Sequence, residues 1–306
     1  MHPRFPARLD AILTRMTPLS LGLVLLSALA HSTWNLLLKR SSEPEIFVWW
    51  LLVVEAVLML PLGVVLFWLF PIAPVGWLFV LATVILHVLY FILLGRGYAQ
   101  GDLSVVYPIA RGFGPMLVPI LAVLLLRETV ALPAILGIAA IVVGIYIISW
   151  TGELQRFLLR PWNMMRNTGA RYAVLTGLTI AMYVTIDKRG VSHIQPFLYL
   201  YLMSLGSAVL LFPYIRRKWG IQAMGLTWRS SRTSIVLAGL LAFLAYGLVL
   251  TAFSLSKVSY VAPAREVGIV VGVLMGVLIL KEPFGRVRLA GSSVIVLGLI
   301  LIAVSP

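Results

Sequence analysis

Ten long apolar runs follow one another along the chain, near 20–38, 46–70, 75–95, 103–126, 131–150, 171–188, 195–215, 233–255, 258–280 and 287–304. A helix needs about 20 apolar residues to cross the hydrocarbon core of a bilayer. The runs are continuous, without an alternation of period two, so spanning helices are expected rather than a barrel. Composition agrees: 61% of the 306 residues are hydrophobic and 11% charged, and the mean hydropathy is +1.04. Soluble domains are about 45–50% apolar and about 25% charged. These figures exclude a soluble enzyme, a disordered chain and a coiled coil. A multi-pass all-α membrane protein of ten transmembrane helices is expected, placed in the cell (inner) membrane.

The punctuation fits that division. Pro71 and Pro74 separate runs two and three, Gly101-Asp102 precedes run four, Arg127-Glu128-Thr129 follows it, and Lys281-Glu282-Pro283 separates nine from ten. The first 18 residues hold Arg4, Arg8 and Arg15, and the run behind them is too long for a signal h-region, so it reads as a retained helix. The longest polar connection, 151–170, lies at the middle of the chain. The expected division is a tail over 1–19, a first unit over 20–150, a linker over 151–170 and a second unit over 171–306.

The two units repeat each other. At an offset of 154, Arg111 meets Arg265, Gly114 meets Gly268, Glu128 meets Glu282, Gly137 meets Gly291 and Gly144 meets Gly298. At an offset of 149, Lys39-Arg40 meets Lys188-Arg189, each pair closing the first run of its half. Five spans per unit is an odd number, so the second unit enters the membrane in the opposite sense. The expected fold is therefore two inverted five-helix repeats, an architecture that builds two gates about one site at the midplane.

This arrangement resembles the EamA-type drug/metabolite transporter superfamily: two five-helix repeats, a lysine closing the first span of each, and Arg127-Glu128 and Lys281-Glu282 between the fourth and fifth helices. The resemblance covers about 20–304. It implies secondary transport of a small organic solute. It also implies a central cavity lined in part by the first, third, fourth, sixth, eighth and ninth helices. It names no substrate. The stretch from Gly101 to Arg111, with Arg265-Glu266, loosely resembles a bacterial subgroup associated with phosphonate use.

Members usually keep both termini in the cytoplasm, and the charges here point the other way. With the N-terminus inside, inside segments would hold 7 basic residues and outside segments 15, out of 24 Lys and Arg. The positive-inside rule then favours both termini outside. The net charge of +14 resides mostly between apolar runs, where it meets lipid headgroups. No basic stripe with interleaved aromatics exists, so no nucleic-acid partner is expected. The chain has no cysteine, and no Walker loop, HExxH or GxSxG is present. No cofactor, no metal and no enzymatic activity are expected.

Charges at membrane depth cost about 2.5–3.5 kcal/mol each on insertion scales, so each needs a reason. Arg111 and Arg265 lie well inside runs four and nine. They read as a pair of donors for an anionic substrate, since the guanidinium fork binds carboxylate or phosphate bidentately, or as structural partners of a carboxylate. Glu266, beside Arg265, points about 100° away from it on a helix. Glu55 and His87 lie at mid-depth in runs two and three. With Glu266 they are the proton-coupling candidates, or else neutral groups that tie helices together. Asp187 beside Lys188 reads as an interfacial charge cluster. Trp34 and Asn35 share run one with His31, and 31 and 35 share a face. Together with Tyr90, Tyr107, Tyr183 and Tyr246, whose hydroxyls need partners at mid-depth, they complete the substrate-binding set. Trp49, Trp50, Trp68, Trp77 and Trp150 read as an interfacial belt. Pro108, Pro115 and Pro119, and Pro263 followed by Gly268, Gly272 and Gly276, read as bends or tight packing in runs four and nine. Glu128 and Glu282 read as caps at the starts of runs five and ten.

The expected function is secondary-active transport, by alternating access, of a small metabolite with an anionic group, such as an amino acid, organic acid or phosphonate. A proton or sodium ion would couple it, and the chain would work as a monomer among membrane lipids. A cationic-drug exporter built on a carboxylate, and a membrane scaffold without transport, stay open.

Overall fold

The computed structural model describes residues 16–101, 103–149, 167–280 and 285–306, and these are helical throughout apart from short turns. Eleven helices follow in order: α1 Pro18–Lys39, α2 Pro44–Leu58, α3 Leu60–Leu69, α4 Pro74–Gln100, α5 Leu103–Leu126, α6 Leu132–Ile148, α7 Thr168–Gly190, α8 Pro196–Leu255, α9 Val258–Ala264, α10 Val267–Leu280 and α11 Arg286–Ala303. Six of them carry proline in the first turn, where its missing N–H costs nothing and its fixed φ suits the helix. Side-chain caps add to this. Thr17 accepts from the Ser20 amide at 3.1 Å, Asn167 from Ala170 at 2.9 Å and Gln195 from Leu198 at 2.8 Å.

Among the described residues every apolar run falls on helix; two runs hold a break, and a third break lies between runs seven and eight. α2 and α3 meet at Met59 with a bend of 55°. The 60 residues of α8 are interrupted at Gly220, whose φ of 76° and ψ of 160° are not helical. Only glycine adopts that conformation without strain, so the chain turns there and divides α8 into arms over 196–219 and 221–255. Run nine breaks between α9 and α10 at Arg265 and Glu266. By contrast α5 runs unbroken through Pro108, Pro115 and Pro119. Among the described residues seven helices are long and apolar enough to cross a membrane, or eight with α2 and α3 taken as one bent span. The protein is thus a multi-pass membrane protein.

The two halves interlock. α1 lies against α8 and α10, while α7 lies against α4 and α5. α6 and α11 meet backbone to backbone. A Cβ on Gly137 would fall 2.6 Å from the Gly298 carbonyl oxygen, and one on Gly298 2.5 Å from that of Gly137. Gly144 and Gly291 oppose each other in the same way at 2.8 Å. Pairing 137 with 298 and 144 with 291 requires antiparallel helices. Within lipid, where apolar surface gains little from leaving the bilayer, such close approach is a main source of helix association.

Trp49 and Trp50 are not belt residues. Trp49 donates to the Ala208 carbonyl at 3.0 Å and Trp50 to that of Met224 at 2.9 Å, so both tie α2 to α8. A buried indole N–H needs such an acceptor. Trp68 and Trp77 face outward, and Trp150 lies outside the described residues.

Candidate functional site

Two adjoining cavities occupy the centre of the bundle. The larger, of about 290 Å³, reaches from Arg111 and Arg265 to Lys39, Ile148, Gly276 and Arg288 at one end of the molecule. The smaller, of about 130 Å³, is walled by Trp34, Glu55, His87, Tyr90, Tyr183 and Tyr246. His31, Asn35, Arg111 and Arg265 border both and form the layer between them. The walls of the smaller cavity come from the first, third, fourth, sixth, eighth and ninth runs, and also from the second, through Val48, Leu51, Leu52 and Glu55, and the seventh, through Leu200 and Met203; the larger cavity also takes Ile148 from the fifth and Arg288 from the tenth.

Arg111 projects from α5 into this layer. Its Nη2 lies 3.0 Å from His31 Nε2, and its Nη1 lies 3.6 Å from Glu266 Oε1. His31 Nδ1 accepts from the Trp34 indole at 3.2 Å. A neutral imidazole has one acceptor nitrogen. His31 therefore sits between two donors with one lone pair to offer, and the layer is rich in N–H groups. The Asn35 amide donates to the His31 carbonyl at 2.7 Å, which holds that turn of α1.

Arg265 arrives by a different route. α9 stops at Ala264, and α10 starts at Val267. Its guanidinium lies 5.9 Å from the centre of the Tyr246 ring. Ser32 donates to the Gly268 carbonyl at 2.8 Å and anchors the start of α10 to α1. Broken helices at membrane depth are tolerated where they line a cavity, and here the amides of Glu266, Gly268 and Ile269 stay bonded to the carbonyls of Pro263, Arg265 and Glu266. The break also turns Glu266 toward Arg111. The carboxylate that faces an arginine is thus Glu266, whereas Glu55 accepts from Ser204 at 2.5 Å. His87 is held by Thr83, at 3.0 Å from its hydroxyl and 2.9 Å from its carbonyl.

The glycines of run nine line space rather than a seam. A Cβ on Gly268 or Gly272 would meet Ser32 or Ala28 only at 3.8–4.0 Å, an ordinary contact, and both border the larger cavity. The tight glycine seam belongs to α6 and α11 instead.

The opposite end of the bundle is closed. Glu128 accepts from the amides of Val258 and Ser259, each at 3.0 Å, and from the Ser259 hydroxyl at 2.6 Å. It caps α9, not run five, because Arg127 with φ of 57° turns the chain away from α6. Lys188 donates to the carbonyls of Phe253 and Ser256, where α8 ends. Lys257 donates to the Thr129 carbonyl at 2.6 Å, and the Thr17 amide to the Ser256 hydroxyl at 3.2 Å.

Asp187 is no interfacial residue. It is fully buried, and its carboxylate accepts from Thr83 at 2.6 Å, Tyr199 at 2.8 Å and Tyr246 at 2.5 Å. Lys188 spends its ammonium on carbonyls, so the two neighbours in sequence serve different contacts. One sequence signal points to this placement: Asp187 lies four residues after Tyr183 and shares its helix face. Nothing in the sequence pairs it with Thr83 or Tyr199.

Of the expected binding set, Arg111, Arg265, Trp34, Asn35, Tyr90, Tyr183 and Tyr246 border the cavities, as do Glu55, His87 and Glu266. The Tyr107 side chain lies outside the described residues, as do Lys281 and Glu282.

The chain matches the model of the EamA-like transporter family over residues 18–150 and again over 167–304. No curated protein matches it. Among solved structures, one described only as "Crystal structure of protein" has a TM-score of 0.72 and 13% identity, over 92% of this chain and 95% of the other. At that identity the likeness concerns the fold alone.

Proposed function

Because the chain belongs to the EamA-like transporter family, within the drug/metabolite transporter superfamily, we propose that it is a secondary-active carrier of a small organic solute bearing an anionic group, working by alternating access. The observation that carries this reading is the junction of the two cavities. There two arginines from matching places in the two halves, Arg111 and Arg265, meet the start of α10. Two guanidiniums against one carboxylate, Glu266, leave a cationic, donor-rich layer. Such a layer is stabilised by carboxylate, phosphonate or phosphate oxygens.

The substrate-binding residues in this reading are Arg111, Arg265, Trp34, Asn35, Tyr90, Tyr183 and Tyr246, with Tyr107 added from the sequence. Glu55, His87 and Glu266 are the groups through which a proton or sodium ion would be coupled. Ten spans in two inverted repeats follow if α2 with α3, each arm of α8, and α9 with α10 count as single crossings alongside α6. The antiparallel meeting of α6 and α11 supports this, as do the two lysines, which lie at opposite ends: Lys188 beside the end of α8 and Lys39 on the larger cavity. We place the carrier in the inner membrane as a monomer, with its termini outside on the charge count.

Glu55, walled into the smaller cavity with Ser204 as its hydrogen-bond donor, supports a second reading in which an amine is carried.

Ligand-induced thermal stabilisation tests both. The panel is amino acids, dicarboxylates, phosphonates and cationic amines, applied to the wild type and to Arg111→Gln/Arg265→Gln. Stabilisation by one anionic class that is lost in the double variant is the expected result. Stabilisation by amines that survives it would sink the anionic reading.

A further inference from the structure

We propose that Tyr246 is a positioning residue that links the arginine site to the closed end of the carrier, through Arg265 on its ring and Asp187 on its hydroxyl. The inference rests on the reading of Arg265 as part of the substrate site.

Tyr246 meets both features described above. Its ring face lies 5.9 Å from the Arg265 guanidinium, within the range of a cation–π contact. Its hydroxyl donates to Asp187 Oδ2 at 2.5 Å. Asp187 in turn takes hydroxyls from α4 through Thr83 and from the first arm of α8 through Tyr199. Tyr246 stands on the second arm. One carboxylate thus joins α4, α7 and both arms of α8, next in sequence to Lys188, which holds the end of α8.

A fully buried carboxylate tied by neutral hydroxyls loses much when one is withdrawn, since the remaining groups cannot compensate the charge. That makes the cluster a sensitive lock. The lever is Arg265. A substrate anion competes with the Tyr246 ring for the guanidinium, because a bidentate ion pair outweighs a ring contact. As Arg265 turns to the anion, the ring loses the cation that orients it, and the bond to Asp187 loosens. Occupancy of the cavity is thereby passed to the far end. Tyr183 also hydrogen-bonds Arg265, with Glu266 and Arg111 close by, and His87 stands between the two tyrosines, its ring centre 4.2 Å from that of Tyr183 and 5.8 Å from that of Tyr246.

The absence of cysteine from the chain allows a direct test. Ala252 is fully buried near the closed end of α8, so Ala252→Cys places a single reporter thiol there. The reaction of N-ethylmaleimide with that thiol is followed in purified protein without ligand. Tyr246→Phe, which keeps the ring and removes the hydroxyl, is expected to speed labelling at least about tenfold. Arg265→Gln is expected to do the same, and the double variant to label no faster than the faster single one. Arg265→Lys keeps a cation beside the ring and is expected to label close to the parent rate, which separates loss of the contact from loss of the fold. The proposal is overturned if Arg265→Gln labels at the parent rate, if Tyr246→Phe does, or if the double variant shows the product of the two effects. Labelling reads access and not binding. A chain that ignores every anion yet shows the expected pattern would refute the proposed function and leave this coupling standing.

Discussion

Arg111 and Trp34 approach the imidazole of His31 from its two nitrogens, at 3.0 Å and 3.2 Å. The ring has one lone pair for these two donors, and in the tautomer that turns it to Arg111 the guanidinium enters the cavity already aimed. Preorganisation of this kind spares the cost of ordering a long side chain on binding. His31→Ala is expected to weaken binding of the anionic substrate about tenfold, or about 1.4 kcal/mol, with little change in thermal stability. Titration calorimetry of the substrate class found in the thermal panel measures the first quantity. Unchanged affinity would show that Arg111 needs no such guide.

The glycine crossing gives a second expectation. Gly137→Ala would drive a methyl group against the Gly298 carbonyl, which is backbone and cannot rotate away. Overpacking of a tight contact costs roughly 1–3 kcal/mol. A clear fall in the denaturation midpoint in detergent is expected. Gly22→Ala, where nothing lies within 4 Å, is the control and should leave the midpoint nearly unchanged. Equal effects of the two would deny the seam its role.

A third concerns Glu128. Its carboxylate holds two amides and a hydroxyl at the head of α9, and bonds to a charged group are worth about 1.5–3 kcal/mol each. In Glu128→Ala the Val258 and Ser259 amides should exchange with solvent deuterium at least about tenfold faster, and Glu128→Gln should recover part of the protection. Exchange as slow as in the wild type would mean that the cap is dispensable.

A fourth fixes orientation. Ser192 and Ser230 are both exposed, the first beyond the closed end of α7 and the second on the second arm of α8 near its start. With the termini outside, Ser192→Cys is expected to react with an impermeant maleimide on intact cells and Ser230→Cys only after permeabilisation. The reverse pattern would turn the open cavity to the exterior.

What is legible in the sequence follows from periodic, local physics. Hydropathy marks each span, and the offset of 154 pairs Arg111 with Arg265 and the glycines of α6 with those of α11. Hydropathy passes over the breaks at Met59 and Arg265, because both stretches stay apolar; the local signal is a proline two residues away, Pro61 after the first and Pro263 before the second. Glu128 reads as a cap, correctly in kind, but its target lies 130 residues away and depends on how the loop turns at Arg127. Asp187 misleads for the same reason. Its neighbour Lys188 suggests a local pair, whereas its partners stand on α4 and α8. Which carboxylate answers which arginine is decided by the interlock of the halves, and spacing along one helix does not reveal it.

The seam between α6 and α11 has a mechanical meaning. Contacts between side chains can slip by exchanging rotamers, so they permit gradual sliding. Gly137 against Gly298 and Gly144 against Gly291 have no rotamers to exchange. The two helices behave as an axle: they can pivot about the crossing but not shear along it. Any movement that opens one end of the carrier while closing the other is then constrained to be a rotation about this line.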